Sequence, residues 1–198
     1  KWTFIAGINN GWDVLKESQQ LAATDGTQGL GKTLELGANG ALGKSVTLSA
    51  VYYSGNESGA TSALVPATSG RRDLLDLVAT INVMDNLSVV LNYDTAKQEG
   101  AFAGGSDAKW NGLAAYVNYK LSEQWRLSVR AEQFDDKDGY RTGVVQKWSE
   151  ATATLAFMPT SKTELRLEGR HDRSNETVFV QLDGNVKKSQ SSIGLEGI

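Results

Sequence analysis

Apolar and polar residues alternate with a period of two along most of this chain. In residues 33–42 (TLELGANGAL) the even-numbered positions carry Leu, Ala or Gly, and the odd-numbered positions include Thr33, Glu35 and Asn39. The same alternation recurs in residues 46–52, 75–83, 87–93, 113–121, 125–131, 151–157 and 165–169. Alternation of this kind predicts β-strands with one apolar and one polar face. A helical period is almost absent, and only residues 14–23 are compatible with a short helix.

Ten strands follow from this alternation, and they are joined by connections of two kinds. Short turns lie near residues 43–44, 85–86, 122–124 and 159–161, and long polar segments span about 11–31, 56–71, 97–108, 136–145 and 173–186. Short connections of this length are typical of antiparallel hairpins. The predicted strands are 1–10, 32–42, 45–55, 72–84, 87–96, 109–121, 125–135, 146–158, 162–172 and 187–198. Because no linker divides them, we expect one domain, residues 1–198, with an all-β, antiparallel up-and-down fold.

The two faces of the predicted sheet differ in a way that favours a membrane-spanning barrel. The apolar face contains many small residues, whereas the polar face carries both signs of charge on neighbouring strands: Arg126, Arg130, Glu132, Glu150, Glu164, Arg166, Glu168, Arg170 and Asp172. Lipid outside and a hydrated lumen inside suit this arrangement, and a closed barrel satisfies every backbone group in hydrocarbon. We therefore expect a transmembrane β-barrel with short periplasmic turns and long extracellular loops. The nine charged residues line the pore as an electrostatic filter, pair with one another as a rigid ladder, or do both.

Aromatic residues on the apolar face cluster at the ends of the predicted strands. Tyr119, Trp125 and Phe157 lie beside short turns, and Tyr52 and Tyr93 lie at the opposite, long-loop ends. Two such belts separated by aliphatic residues are typical of the interfacial girdles of outer-membrane barrels. We therefore expect these five residues to form an aromatic girdle. The expected partners are outer-membrane lipid, and lipopolysaccharide at the long polar loops.

Composition excludes several other classes of protein. The chain has no Cys, one His and a net charge of -3, which argues against thiol chemistry, multi-histidine metal centres and a nucleic-acid partner. His171 and Asp172 are adjacent in a strand, so their side chains diverge and cannot act as an acid–base pair. Residues 135–139 (DDKDG) are a poor calcium loop, because Phe134 and Val145 occupy positions that need carboxylates. We therefore expect no enzyme activity, no cofactor and no metal site.

Three short motifs give the chain a family resemblance. They are NGWD at residues 10–13, RAEQFDDKDGYRTG at residues 130–143 and ELRLEGRHDRS at residues 164–174. Their order and spacing, from about Asn9 to the C-terminus, resemble the OmpL-like β-barrel porin family (the porin-2 type). The resemblance implies an outer-membrane barrel of a Gram-negative bacterium that passes small solutes. Members of that family have several strands before the NGWD turn, so ten strands are either the complete barrel or the C-terminal part of a larger one.

The function predicted from these patterns is passive diffusion of small hydrophilic solutes or ions through a lumen lined by mixed charges. Because both signs of charge are present, we expect only weak ion selectivity. One alternative is a soluble β-barrel that binds a small ligand, which would need large apolar residues inside and the charged face outside. Another is a non-conducting outer-membrane scaffold. The solute, the conductance and the oligomeric state do not follow from the sequence.

Overall fold

Twelve antiparallel strands run through residues 1–9, 32–58, 69–102 and 104–198, which are the residues that the computed structural model describes. The strands are β1 (Trp2–Asn9), β2 (Thr33–Leu42), β3 (Val46–Ser58), β4 (Ser69–Met84), β5 (Leu87–Gln98), β6 (Ala108–Lys120), β7 (Trp125–Asp136), β8 (Gln146–Thr160), β9 (Thr163–Ser174), β10 (Phe179–Val180), β11 (Val186–Lys187) and β12 (Ser189–Gly197). In these ranges no helix is long and apolar enough to cross a membrane. The short helix predicted at residues 14–23 lies outside the described residues.

Ten of the strands form one sheet in the order β1-β2-β3-β4-β5-β6-β7-β8-β9-β12. Each strand pairs antiparallel with its neighbour, so the predicted all-β, up-and-down fold is confirmed. β1 and β12 lie at the two edges of this sheet, and the pairings among described residues do not join them to each other.

The segment before β12 corrects the predicted boundaries. Residues 173–186 were expected to be a polar loop leading into a strand at 187, but β10 and β11 pair there as a separate two-stranded ribbon. A turn at Gly184 (φ +79°) closes the ribbon, and Phe179 packs edge-on against Trp148 at a centroid distance of 5.1 Å. β11 takes up Val186 and Lys187, and β12 begins at Ser189 rather than at residue 187. The prediction missed β10 and β11 because a strand of two residues is too short to show alternation.

Several strands also extend further into the long connections than predicted. β3 and β4 continue as a paired ladder to Ser58 and back from Ser69, beyond the predicted limits of 55 and 72. β8 continues to Thr160 after a register shift that follows Phe157. Polar residues can extend a ladder because its hydrogen bonds join backbone groups and do not depend on side-chain polarity. Hydrophobic alternation therefore underestimates strand length where a strand leaves the apolar band.

The alternating faces are arranged as the barrel prediction requires. Large apolar side chains on the outward face are exposed, including Phe4 (78%), Leu113 (55%) and Leu167 (52%). Several polar or charged side chains on the opposite face are buried, among them Arg72 and Asp172 at 2% exposure each. A soluble carrier would need the reverse assignment of faces, which the structure does not show.

The polar face is concave. A cavity of about 670 Å³ on this face is lined by residues of β4 and β5, such as Asn82 and Ser88, and also by Glu196 of β12. β4 and β12 are far apart in the strand order, so the sheet must curl for both to line one cavity. This cavity lies at the short-turn end and is the lower part of the candidate lumen.

Candidate pore lumen

The nine charged residues predicted from the sequence occupy alternate positions on three adjacent strands. Arg126, Arg130 and Glu132 lie on β7, Glu150 lies on β8, and Glu164, Arg166, Glu168, Arg170 and Asp172 lie on β9. Cross-strand register pairs Glu132 with Glu150 and Glu150 with Asp172, so their side chains share one face. The structure thus brings the predicted charges together on the concave face. Their role as a pore lining stays a prediction.

The middle of this charged surface is organised around Glu150. Arg130 donates to both carboxylate oxygens of Glu150, with its Nε 3.0 Å from Oε1. Arg170 places its Nη2 3.3 Å from the same carboxylate, and Thr152 donates its hydroxyl at 2.5 Å. The Glu150 side chain is 5% exposed, whereas the two arginine side chains are about a third exposed. One buried carboxylate on β8 therefore holds guanidinium groups from both neighbouring strands.

A second network lies nearer the short turns. Glu164 contacts the guanidinium of Arg126 and accepts a hydrogen bond from Arg166 Nε at 2.6 Å. Arg166 also reaches Glu196 on β12, with Nη1 3.2 Å from Oε2. Thr154 donates to Glu168 at 2.8 Å. Glu196 was missed at the sequence level because β12 carries few other charges to mark its polar face.

These contacts show that the ladder of paired charges forms. Each of the four arginines contacts at least one carboxylate, and Arg170 also contacts Asp172 at 2.8 Å. Charge-assisted hydrogen bonds of this kind hold side chains in fixed positions. The charged side chains of this face are therefore held in a fixed arrangement.

A second group of carboxylates on the same face was not predicted. Glu35 on β2 accepts hydrogen bonds from Asn9 (2.8 Å) and Tyr53 (3.1 Å). Asp76 on β4 accepts one from Asn92 and lies directly opposite Asp94 on β5 in the strand register. None of these carboxylates takes part in an ion pair among the described residues. Strand parity could have placed all three on the polar face, but they lie on three different strands and away from the dense charges of β7, β8 and β9.

The five predicted girdle residues lie on the outward face, but Tyr52 and Tyr93 lie near the middle of β3 and β5, because these strands extend beyond their predicted ends. Trp125 and Phe157 are direct cross-strand partners and stack with a centroid distance of 4.6 Å. Tyr119 lies at the same, short-turn end. Their contact with the membrane interface stays a prediction, as do the lipid and lipopolysaccharide partners.

Trp2 adds an aromatic residue to this face that the sequence prediction omitted. It lies opposite Gly40 in the register, and a Cβ at Gly40 would be 2.2 Å from the Trp2 ring. The glycine therefore makes room for the indole, which is 45% exposed. Phe4 and Ile8 share its parity in β1, so the alternation could have placed Trp2 on the apolar face.

The remaining candidate chemistry has structural explanations. Asp136 accepts hydrogen bonds from the backbone N–H groups of Arg141 (2.9 Å) and Thr142 (2.7 Å), and Asp138 accepts one from Lys109 N–H (2.8 Å). These carboxylates of the DDKDG segment therefore hold backbone in place. In the described part of the chain, no three His, Asp or Glu side chains form a group that could hold a metal.

Comparison with known families supports the sequence resemblance. A search of curated proteins finds no match to this chain. The family model described as "Putative beta-barrel porin-2, OmpL-like" matches residues 1–198, so the match starts before residue 9 and covers the whole chain. The strand order, the exposed apolar face and the family match agree with one another. The chain therefore belongs to the OmpL-like beta-barrel porin-2 family.

Proposed function

We propose that this protein is a channel of the Gram-negative outer membrane through which small hydrophilic solutes or ions diffuse passively. The observation that carries the proposal is the opposition of the two sheet faces. The outward face exposes large apolar side chains such as Leu113 and Leu167, and the concave face carries charged and hydroxyl side chains. A surface of the first kind suits acyl chains, and one of the second kind suits water and solute. The channel needs no cofactor and carries out no catalysis.

The nine charged residues of β7, β8 and β9 are the proposed pore lining. Arginine and carboxylate side chains alternate closely along this wall, as in the Arg130–Glu150 pair. A fixed, mixed pattern of charge favours passage of polar solutes without strong preference for one sign of ion. Lipid is the proposed partner of the outward face and its aromatic girdle, and lipopolysaccharide is the proposed partner of the long polar loops.

A non-conducting scaffold is the second candidate, and the density of the charged networks favours it. Barrels of about eight strands are filled by their own side chains, whereas open aqueous channels usually have ~16 strands. In a barrel of ten strands the Arg130–Glu150–Arg170 cluster would occupy much of the lumen. The scaffold would use the same strands and the same outward face but would carry no current.

Planar bilayer recording separates these functions. We expect the detergent-folded protein to give discrete single-channel steps, and a reversal potential near zero in a tenfold KCl gradient. A strong preference for one sign of ion would contradict the mixed-charge pore while leaving a channel. Inserted, folded protein without current would favour the scaffold, and protein that is monodisperse in buffer without detergent would overturn the membrane proposal.

A further inference from the structure

A cluster of aromatic and charged side chains closes over the concave face at its long-loop end. Arg72 of β4 is 2% exposed, donates its Nε–H to Gln98 Oε1 at 2.7 Å and donates an Nη2–H to the hydroxyl of Tyr140 at 3.2 Å. Gln98 is the last residue of β5 and is fully buried. Burial of a guanidinium and an amide at the end of a strand requires that something cover them.

Two loops provide that cover. Tyr140, in the loop 137–145, stacks on Trp110 of β6 with a centroid distance of 5.7 Å and an interplanar angle of 19°. Phe102, in the connection between β5 and β6, meets Tyr140 edge-on at 6.0 Å. Trp110 is 4% exposed and lies on the concave face, because its register partner Ala96 alternates with the lipid-side residues of β5. Both loops therefore bend inward over the lumen side of the sheet.

The loop 137–145 is fixed in this position by its own hydrogen bonds. Asp136, the last residue of β7, is fully buried and accepts hydrogen bonds from two backbone N–H groups and one hydroxyl of the loop. Gly139 turns the chain with φ +70°, and a Cβ there would come within 2.9 Å of the backbone nitrogen of Val145. The guanidinium of Arg141 lies 5.4 Å from the Trp110 ring centroid, within the range of a cation–π contact. A loop held at so many points is a fixed part of the wall.

The two ends of the concave face therefore differ. The short-turn end holds the cavity of about 670 Å³, whereas at the long-loop end Tyr140 and Phe102 pack over Trp110 of β6 and Arg72 of β4, and so cover that part of the face among the described residues. We propose that these residues form a cap that is the narrowest point of the channel and sets the upper size limit of the solutes that pass. This inference rests on the proposed channel function. Tyr140 is the residue that sets the size limit through its ring, and Arg72 also donates a hydrogen bond to its hydroxyl.

The cap predicts which truncations widen the channel. Tyr140→Ala removes the ring that spans Trp110 and Phe102, and it lies in a loop, outside the strand ladders of the sheet. Tyr140→Phe keeps the ring and loses only the hydrogen bond to Arg72, so it is the conservative control. Tyr116→Ala also removes a tyrosine ring from the concave face. Tyr116 is six residues along β6 from Trp110 and so lies roughly 20 Å from the cap. This variant tests whether any lost ring widens the channel.

Swelling of liposomes in sugars of increasing size measures the exclusion limit, and bilayer recording measures the step size. We expect Tyr140→Ala to admit a larger sugar than wild type and to give larger conductance steps. Tyr140→Phe and Tyr116→Ala should keep the wild-type exclusion limit. Phe102→Ala should shift the limit in the same direction as Tyr140→Ala, which provides a second variant if the first does not fold. Folding of each variant is checked by its heat-modifiable migration on gels.

The outcomes separate this inference from the proposed function. Wild type that conducts, with an exclusion limit that neither Tyr140→Ala nor Phe102→Ala changes, overturns the cap and leaves the channel intact. Wild type that is silent while folded Tyr140→Ala conducts supports the cap as a complete closure. Silence of wild type and of both folded cap variants rejects the cap together with the channel. An equal increase in the exclusion limit for Tyr116→Ala would place the narrowest point elsewhere.

Discussion

Replacement of Glu150 by Gln tests the charged ladder at the point where most donors converge. The carboxylate of Glu150 is 5% exposed and is contacted by Arg130, Arg170 and Thr152. Gln has nearly the same shape, but it carries one acceptor oxygen instead of two and has no charge. Its amide N–H groups would also face guanidinium N–H groups, because both neighbouring strands present donors at this point. The substitution therefore removes charge and acceptors while leaving the packing almost unchanged.

The expected loss of stability can be estimated from these contacts. A hydrogen bond to a charged group contributes about 1.5–3 kcal/mol, and Glu150→Gln removes at least one of those made by Arg130. The Arg130 and Arg170 side chains are 32% and 38% exposed, so water screens the charge that is left without a partner. We therefore expect the free energy of unfolding to fall by about 1–2 kcal/mol, which is less than the roughly 3–5 kcal/mol for breaking a fully buried ion pair.

Glu132→Gln is the matched control for this experiment. Glu132 lies opposite Glu150 in the register, but its carboxylate is 3.9 Å from Arg130 and its side chain is 38% exposed. An exposed ion pair with such a long separation should contribute less than ~0.5 kcal/mol. Urea unfolding in lipid vesicles, followed by tryptophan fluorescence, measures both variants. Equal stability of wild type and Glu150→Gln, or an equal loss for both variants, would refute the conclusion that Glu150 organises the ladder.

Three further expectations concern the two faces, a strand contact and a loop. Val129→Lys places a charge on the outward face and should cost about 2–4 kcal/mol in vesicle unfolding, whereas Ser128→Lys on the lumen face should change stability little; equal costs would contradict the face assignment. Gly55→Ala should destabilise the sheet by about 1–3 kcal/mol in the same assay, because its Cβ would lie 2.3 Å from a side-chain oxygen of β2. A hydrogen bond from the Lys97 ammonium holds the pKa of Asp107 below its ordinary value of 3.8. At pH values above 3.8 the contact therefore stabilises the loop, and this stabilisation is lost as the pH falls through the lowered pKa of Asp107. Lys97→Ala should raise the pKa of Asp107 in a carboxyl NMR titration. An unchanged pKa of Asp107 would exclude Lys97 as the cause.

The sheet could be predicted from the sequence because its determinants are local. Each strand alternates apolar and polar residues over several positions, and this period is enough to place Arg130 and Leu167 on opposite faces. The same rule identified the nine charged residues of β7, β8 and β9 as sharing one face. The partners within that face did not follow, because strand tilt and side-chain length decide whether Arg166 reaches Glu164, Glu196 or both.

The cap could not be predicted because its contacts join distant residues in segments without periodicity. Tyr140 occurs in a polar stretch (DDKDGYRTG) that is typical of a solvated turn, and its hydrogen-bond partner Arg72 is 68 residues away. Parity could assign Trp110 to the polar face. That another side chain covers Trp110 there could be inferred only once the strand pairing was known. Loops that fold back over a sheet are decided by side-chain packing between elements, which alternation does not encode.

The position of Glu150 between two arginines also affects how the strands find their alignment. Alternation prevents a slip by one residue, since such a slip would turn every side chain to the wrong side, but it tolerates a slip by two. A slip of β8 by two residues would move the Glu150 carboxylate by roughly 7 Å, away from guanidinium groups that lie about 3 Å from it. The misaligned hairpins would keep their apolar outward face but lose the ion pairs of Glu150 with Arg130 and Arg170. The contacts of Glu150 therefore favour the native alignment of β8 over one that is shifted by two residues.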